Sequence, residues 1–218
     1  MSDLTHLECT VCGKRLPVDT PQNVTCQDGG LLFARYDVAR VGRGIARDEI
    51  RNGPASLWRY AALLPAQRPQ DAITLNEGWT PLIKAVRLAA AIGCRELWVK
   101  DEGRNPSGTF KDRGAAVALT RYRELGVKTV ALNSSGNAGG SWALYAARAG
   151  IGCVSVLPTD AQPSSRAHCA MAGARTYLLE DWHNSGKIVA EACARHGWFN
   201  VSTLLEPYRV EGKKTIGL

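Results

Sequence analysis

No run of eighteen apolar residues occurs in this 218-residue chain, so no segment of it reads as a transmembrane helix. The opening residues, MSDLTHLECT, hold neither a basic stretch nor an apolar one, and no secretory signal is expected. Blocks of like charge are missing too. The net charge is +7, but the basic residues are scattered, with GKK and RELGVK the densest points. Scattered charge of this kind reads as solvated surface and lends no support to nucleic-acid binding. There is no internal repeat and no low-complexity segment. Seven cysteines, an odd number without a secretory signal, argue against a disulfide framework and for reduced thiols in a cytoplasmic setting. What remains is ordinary for a folded globular chain, 45% hydrophobic and 22% charged.

Residues 1–34 are rich in cysteine and turn formers, and a short helical pattern around SLWRYAALLP is expected to end at Pro65. From Glu77 onward short β-type runs alternate with helical ones. ELWVK, TVALN, CVSVLP, RTYLLE and WFNVS are the expected strands. FKDRGAAVALTRYRELG, NAGGSWALYAARAG, SSRAHCAMAGA and SGKIVAEACARHG are the expected helices. This alternation predicts βαβ units and a mainly parallel sheet covered on both faces. In such sheets the ligand lies beyond the carboxyl ends of the strands. The first two junctions there are DEGRNPSGTFKD and SSGNAGG.

In the first junction Thr109 is the expected N-cap, with Asp112 as an acidic capping-box partner. Ala115, Leu119 and Tyr122 then form a buried stripe. That register puts Lys111 in the first turn, where the helix dipole opposes its charge by roughly 0.3–1 kcal/mol. The same field lowers the pKa of an amine that must be neutral for part of its work. Gly103 and Gly108 have the spacing of a phosphate-binding loop, but Thr109 stands where that loop needs its lysine, so a nucleotide enzyme is not expected. The second junction offers Ser134, Ser135 and Asn137 among glycines at a helix start, which suits a carboxylate or a phosphate.

EGWTPL, VKDEGRNPSGTFKDRG and SSGNAGG, in this order, resemble the threonine synthase family of pyridoxal-phosphate enzymes. The resemblance implies an α/β fold of pyridoxal-phosphate fold type II, tryptophan synthase β-like and here partial. It implies that Lys111 bonds to pyridoxal 5'-phosphate as the catalytic residue, with Phe110 and Asn137 also binding the cofactor. Ser134, Ser135 and Asn137 would hold the substrate carboxylate. EPYRVEGKKT resembles a further family segment, whose arginine, here Arg209, helps hold a substrate phosphate. Leu204, Leu205 and Glu206 stand where relatives commonly have asparagine and serine, and an acidic Glu206 beside a phosphate would repel it. The implied reaction is a lyase conversion of O-phosphohomoserine and water to threonine and phosphate. Cysteate synthase or a threonine/serine dehydratase is the alternative, and a non-catalytic zinc-ribbon or nucleic-acid-binding protein is the alternative of another class. A small-molecule amino-acid substrate is the expected partner, with no nucleic acid and no membrane, and a homodimer is compatible with the resemblance.

On this reading residues 1–34 form a degenerate zinc-ribbon-like segment and 35–106 the N-terminal part of a large domain. Residues 107–200 form a small α/β domain, and 201–218 begin the remainder of the large one. Family members continue further, so a C-terminally truncated protein of weakened activity is the expectation. In the first segment Cys9, Cys12, Cys26 and Asp28 are the candidate zinc ligands, with His6 as another fourth ligand. A ribbon shaped by packing, without its metal, is the favoured expectation. Cys94, Cys153, Cys169 and Cys193 are expected as small core residues.

Overall fold

The computed structural model describes residues 2–23 and 26–218. An antiparallel sheet of β1 (Leu4–Cys9), β2 (Arg15–Leu16) and β3 (Leu32–Tyr36), in the order β2-β1-β3, forms the N-terminal ribbon. It buries Leu4, Leu7, Cys9 and Leu32 in the main core. Helices α1 (Val38–Gly44) and α2 (Arg47–Arg51) follow. The SLWRYAALLP pattern becomes tight 3-10 turns over Leu57–Leu63, ending before Pro65 as the sequence predicts. Glu77 ties this segment down. Its carboxylate accepts from Trp58 Nε1 at 2.9 Å and from the Tyr145 hydroxyl at 2.7 Å. Burial raises the Glu77 pKa, and these donors, with the Leu75 amide, work against that rise.

The ELWVK strand departs from expectation. β5 (Trp98–Lys100) does not join the parallel sheet; it pairs antiparallel with β4 (Leu82–Lys84), across α3 (Val86–Ala91), in a separate ribbon. Leu82, Ile83, Trp98 and Val99 of that ribbon are exposed.

The remainder follows the predicted alternation: α4 (Lys111–Glu124), β6 (Thr129–Asn133), α5 (Asn137–Ala149), β7 (Gly152–Pro158), α6 (Pro163–Met171), β8 (Arg175–Leu179), α7 (Ser185–His196), β9 (Phe199–Asn200) and α8 (Arg209–Lys214). The four strands are parallel in the order β8-β7-β6-β9. Period-two alternation decides which side chains face which layer. Val130, Leu132, Cys153 and Leu157 enter the main core with α4 and α5. Ala131, Val154 and Val156 face Val189 and Cys193 of α7. Both faces of the sheet are therefore covered, as its apolar runs predict.

Helix α4 is buried from Asp112 to Tyr122, the expected Ala115, Leu119 and Tyr122 stripe included. It is enclosed on every side because α8 crosses its first turns. A Cβ on Gly212 would fall on the Arg113 carbonyl, and one on Gly114 would lie 2.9 Å from the Arg209 carbonyl. Only glycines permit that approach. Cys153, Cys169 and Cys193 are buried as expected, but Cys94 is exposed because it follows α3 on the outer ribbon. Among the described residues no helix is long and apolar enough to cross a membrane.

Candidate active site

The start of α4 is held by its neighbours. The expected capping box does not form. The Thr109 hydroxyl accepts from the Lys111 amide at 3.2 Å, but Asp112 turns inward. There its carboxylate accepts from the Ser107 amide (2.7 Å), the Ser107 hydroxyl (2.5 Å) and the Ser141 hydroxyl (2.6 Å). Asp112 thereby ties the loop to α5, a longer-range connection than a local box. Upstream, Asn105 accepts from the Gly78 amide at 2.9 Å and donates to the Glu102 carbonyl at 2.8 Å. Arg113 closes this layer with an ion pair to Glu102 at 2.7 Å. Lys111 is thus the one side chain of the first turn left facing open space.

A cavity of about 500 Å³ lies in front of it. Each strand of the parallel sheet contributes at its carboxyl end: Asn133 ends β6, Ser134 to Ala138 follow it, and Gln162 follows β7, Trp182 β8 and Thr203 β9. Lys111 is the wall opposite. Of the predicted residues, Lys111, Ser134, Ser135 and Asn137 are therefore brought together around one space.

The β6–α5 loop is built to receive an anion. The Ser134 hydroxyl oxygen accepts from the Gly136 amide at 3.2 Å and the Gly139 amide at 3.0 Å, and so caps α5. First-turn amides have no acceptor within their own helix. Once Ser134 has taken those two, the Asn137 and Ala138 amides remain open donors at the cavity wall among the described residues. The Asn137 side-chain oxygen accepts from the Ser165 hydroxyl at 3.4 Å, while Ser135 is exposed and free to rotate. The loop can sit this close to α6 and β7 because a Cβ on Gly139 would meet Leu157 Cδ2 at 2.8 Å.

Lys111 lies below its ordinary pKa, first because it is partly buried and then because of the Arg209 charge. Its Nζ is 4.0 Å from the centroid of the Phe110 ring, and Lys213 Nζ approaches the same ring at 5.5 Å. Phe110 itself does not line the cavity. It separates two ammonium groups that have no carboxylate partner among the described residues. Burial lowers the Lys213 pKa, and the charges of Arg209 and Lys111 lower it further.

Arg209 is also off the cavity wall. It is buried, 2.9 Å from Glu206, and donates to the Val201 carbonyl and, at 2.9 Å, to the Thr203 hydroxyl. Glu206 accepts in addition from the Tyr122 hydroxyl at 2.9 Å and the Tyr208 amide at 2.8 Å. The acid does not face the cavity, so the repulsion read from the sequence does not arise there; it is the counter-ion of Arg209 and an N-terminal anchor of α8. Arg209 reaches the cavity only through Thr203. The neighbouring Leu204 holds φ at 65°, a left-handed conformation unusual for leucine. Thr203, Gln162, Trp182 and Lys213 were not singled out in the sequence. The first three follow strands, so the strand-end rule applied to all four strands would have marked them.

The fold and the cavity together define an open α/β protein in which a lysine amine shares a cavity with helix-start amides that are open to bind an anion. The family described as pyridoxal-phosphate dependent enzyme matches residues 73–218, about two thirds of the chain, and the chain belongs to that family. A threonine synthase of Methanosarcina acetivorans is 37% identical over 214 residues, covering 97% of this chain and 52% of its own length. One from Methanocaldococcus jannaschii is 35% identical, covering 95% and 51%. The chain thus spans about half the length of the curated relatives it matches. A solved pyridoxal 5'-phosphate-dependent aspartate racemase aligns with a TM-score of 0.56 at 27% identity, over 63% of this chain and 44% of the other. The residues present fit the family's cofactor: a primary amine of lowered pKa and open anion-binding amides share one polar cavity.

Proposed function

We propose that this chain supplies the lysine and carboxylate-binding parts of a lyase that works as a threonine synthase, converting O-phosphohomoserine and water to threonine and phosphate. The observation that carries the reading is the shared cavity of Lys111 and the Ser134–Ala138 loop. The names of the relatives point the same way. Pyridoxal phosphate, when bound, supplies a conjugated ring that accepts electron density from the substrate carbons. Lys111 and Asn137 would hold it, Lys111 covalently, with Phe110 packed against the lysine. Because burial and Arg209 lower its pKa, more of the Lys111 amine is neutral near pH 7 and able to take a proton from a substrate carbon. The Asn137 and Ala138 amides and the Ser135 hydroxyl orient the substrate carboxylate. Thr203, fixed by Arg209, lies on the cavity wall and would meet the phosphate-bearing end.

One observation favours a second reading, a dehydratase acting on a hydroxyamino acid. The Arg209 charge is already answered by Glu206 and lies off the cavity wall, so among the described residues that wall holds no cation besides Lys111 to meet a substrate phosphate. Titration of the chain with pyridoxal phosphate should develop a visible absorbance that Lys111→Ala abolishes. Colour that survives this change unaltered overturns the assignment. Product analysis with O-phosphohomoserine, O-phosphoserine and threonine then separates the substrates.

A further inference from the structure

The N-terminal ribbon contains a second cluster of reactive side chains, remote from Lys111. Cys9 ends β1, Cys12 lies in the turn after it, and Cys26 and Asp28 lie in the segment before β3. One ligand atom from each lies within 4.8 Å of all the others. The contacts are 3.7 Å between the Cys12 and Cys26 sulfurs, and 3.3 and 3.5 Å from the Cys9 sulfur to the Asp28 oxygens. A disulfide would need sulfurs about 2.05 Å apart. A tetrahedral zinc ion with bonds of about 2.3 Å to sulfur and about 2.0 Å to oxygen needs sulfur–sulfur edges of about 3.8 Å and sulfur–oxygen edges of about 3.5 Å. The Cys12–Cys26 and Cys9–Asp28 separations match those edges, and the remaining pairs lie within 4.8 Å. We infer that Cys9, Cys12, Cys26 and Asp28 form a three-thiolate, one-carboxylate site for a zinc ion.

The backbone around the four residues is arranged as a second layer. The Val11 amide lies 3.5 Å from the Cys9 sulfur, and the Gly30 amide donates to Asp28 Oδ1 at 2.9 Å. Such donors orient ligands and tune their basicity. Gly13 and Gly29, at φ 70° and 75°, turn the chain back after each ligand pair, and any side chain at Gly30 would collide with the Cys9 sulfur. His6, the other fourth ligand weighed from sequence, is engaged elsewhere: its Nδ1 meets the Thr5 hydroxyl at 2.9 Å and its Nε2 faces Glu8 at 3.7 Å. On this inference the ribbon holds a complete ligand set, rather than being kept only by packing. Cys9 and Cys26 form its buried half, and Cys12 and Asp28 its solvent half.

The site also has a route to the cavity. The chain between the two ligand pairs carries Asn23, whose side chain donates to the Asn200 carbonyl at 3.1 Å and the Leu205 carbonyl at 3.2 Å. These two carbonyls flank Thr203. A metal that fixes both ends of this connection restrains the segment beside the cavity, and zinc binding braces the Val201–Leu205 strap.

Metal content and cobalt substitution of the full chain test this directly. The purified protein should retain one zinc per chain. Cobalt(II) in its place should give the intense visible bands of a tetrahedral site and a thiolate-to-cobalt charge-transfer band. Asp28→Asn should weaken cobalt binding by about tenfold or more. Asp28→Cys should restore tight binding with bands shifted to lower energy, and Cys94→Ser should change nothing. Chelation should speed amide exchange at Val201–Leu205. Absence of stoichiometric metal, or an Asp28→Asn variant whose cobalt affinity and spectrum equal those of the unchanged protein, overturns the site. None of these readouts depends on pyridoxal phosphate, so the outcome is independent of the proposed activity.

Discussion

Lys111 sits where a positive charge is least favourable: partly buried, at a helix N-terminus, and near Arg209. That is a stability cost with a definite pH signature. Its folded-state pKa is below the ordinary 10.5, so between the two values the unfolded chain holds a proton that the folded chain has released. Stability contributed at this position therefore rises with pH across that window. Below it the penalty on the charged amine is fully present; above 10.5 it is gone. Lys111→Met, which keeps the length and removes the charge, should make the cofactor-free protein more stable than the unchanged chain at about pH 7. The advantage should shrink toward zero as the pH rises past 10.5. Urea midpoints at the two pH values measure this, and a gain that stays constant with pH would mean that packing, not charge, is responsible.

At the scale of elements, α8 is short, and its position depends on one buried acid. Glu206 holds the Arg209 amide and side chain, the Tyr208 amide and the Tyr122 hydroxyl, and so fastens α8 to α4. Removing one partner of a buried pair leaves the other charge without compensation, at about 3–5 kcal/mol. Glu206→Ala should lower the melting temperature by about 10 °C, with Glu206→Gln intermediate because it keeps an acceptor. Calorimetry on the two variants checks this; a loss under about 1 kcal/mol would show that the pair is compensated by solvent. The sequence made much of this layer legible. TVALN coincides with β6 and the four helical runs fall within three residues of α4, α5, α6 and α7, because burial on both faces and 3.6-residue periodicity leave direct traces. The strand pairing of ELWVK was not legible. Its partner is the three-residue LIK segment just after Pro81, too short to alternate, and local pattern does not encode whom a strand pairs with. The site divides in the same way. Lys111, Ser134, Ser135 and Asn137 lie in turn-rich junctions that stand out singly. Thr203, Gln162 and Trp182 converge only because the strands are parallel, and the paired fates of Arg209 and Glu206 are fixed by α8 docking on α4.

Across the whole molecule, stability is divided unevenly. Strands β6 and β7 lie between two helical layers, with Val130, Leu132, Val154 and Leu157 buried. The β4–β5 ribbon has three paired positions, and its apolar side chains face outward along with Val86, Leu88 and Ile92 of the α3 segment. An isolated two-stranded ribbon is marginal on its own. This one is held by local contacts: the Lys84–Glu96 pair at 2.9 Å, the Lys84 ammonium 5.4 Å from the Trp98 ring, and the Lys100 ammonium on the Thr80 carbonyl at 2.7 Å. The first two are exposed and contribute less than about 1 kcal/mol each. Native-state hydrogen exchange should therefore resolve two tiers. The ladder amides of Leu82–Lys84 and Trp98–Lys100 should exchange through local opening, largely independent of low urea concentrations. Those of Val130–Leu132 and Val154–Val156 should exchange only with global unfolding and follow its urea dependence. The apolar ribbon face makes the measurement discriminating, because association of chains through it would raise ribbon protection as protein concentration rises. Ribbon amides as protected as those of β6 at every concentration would contradict the two-tier account and require a stabilising contact that the ribbon's own hydrogen bonds and ion pairs do not supply.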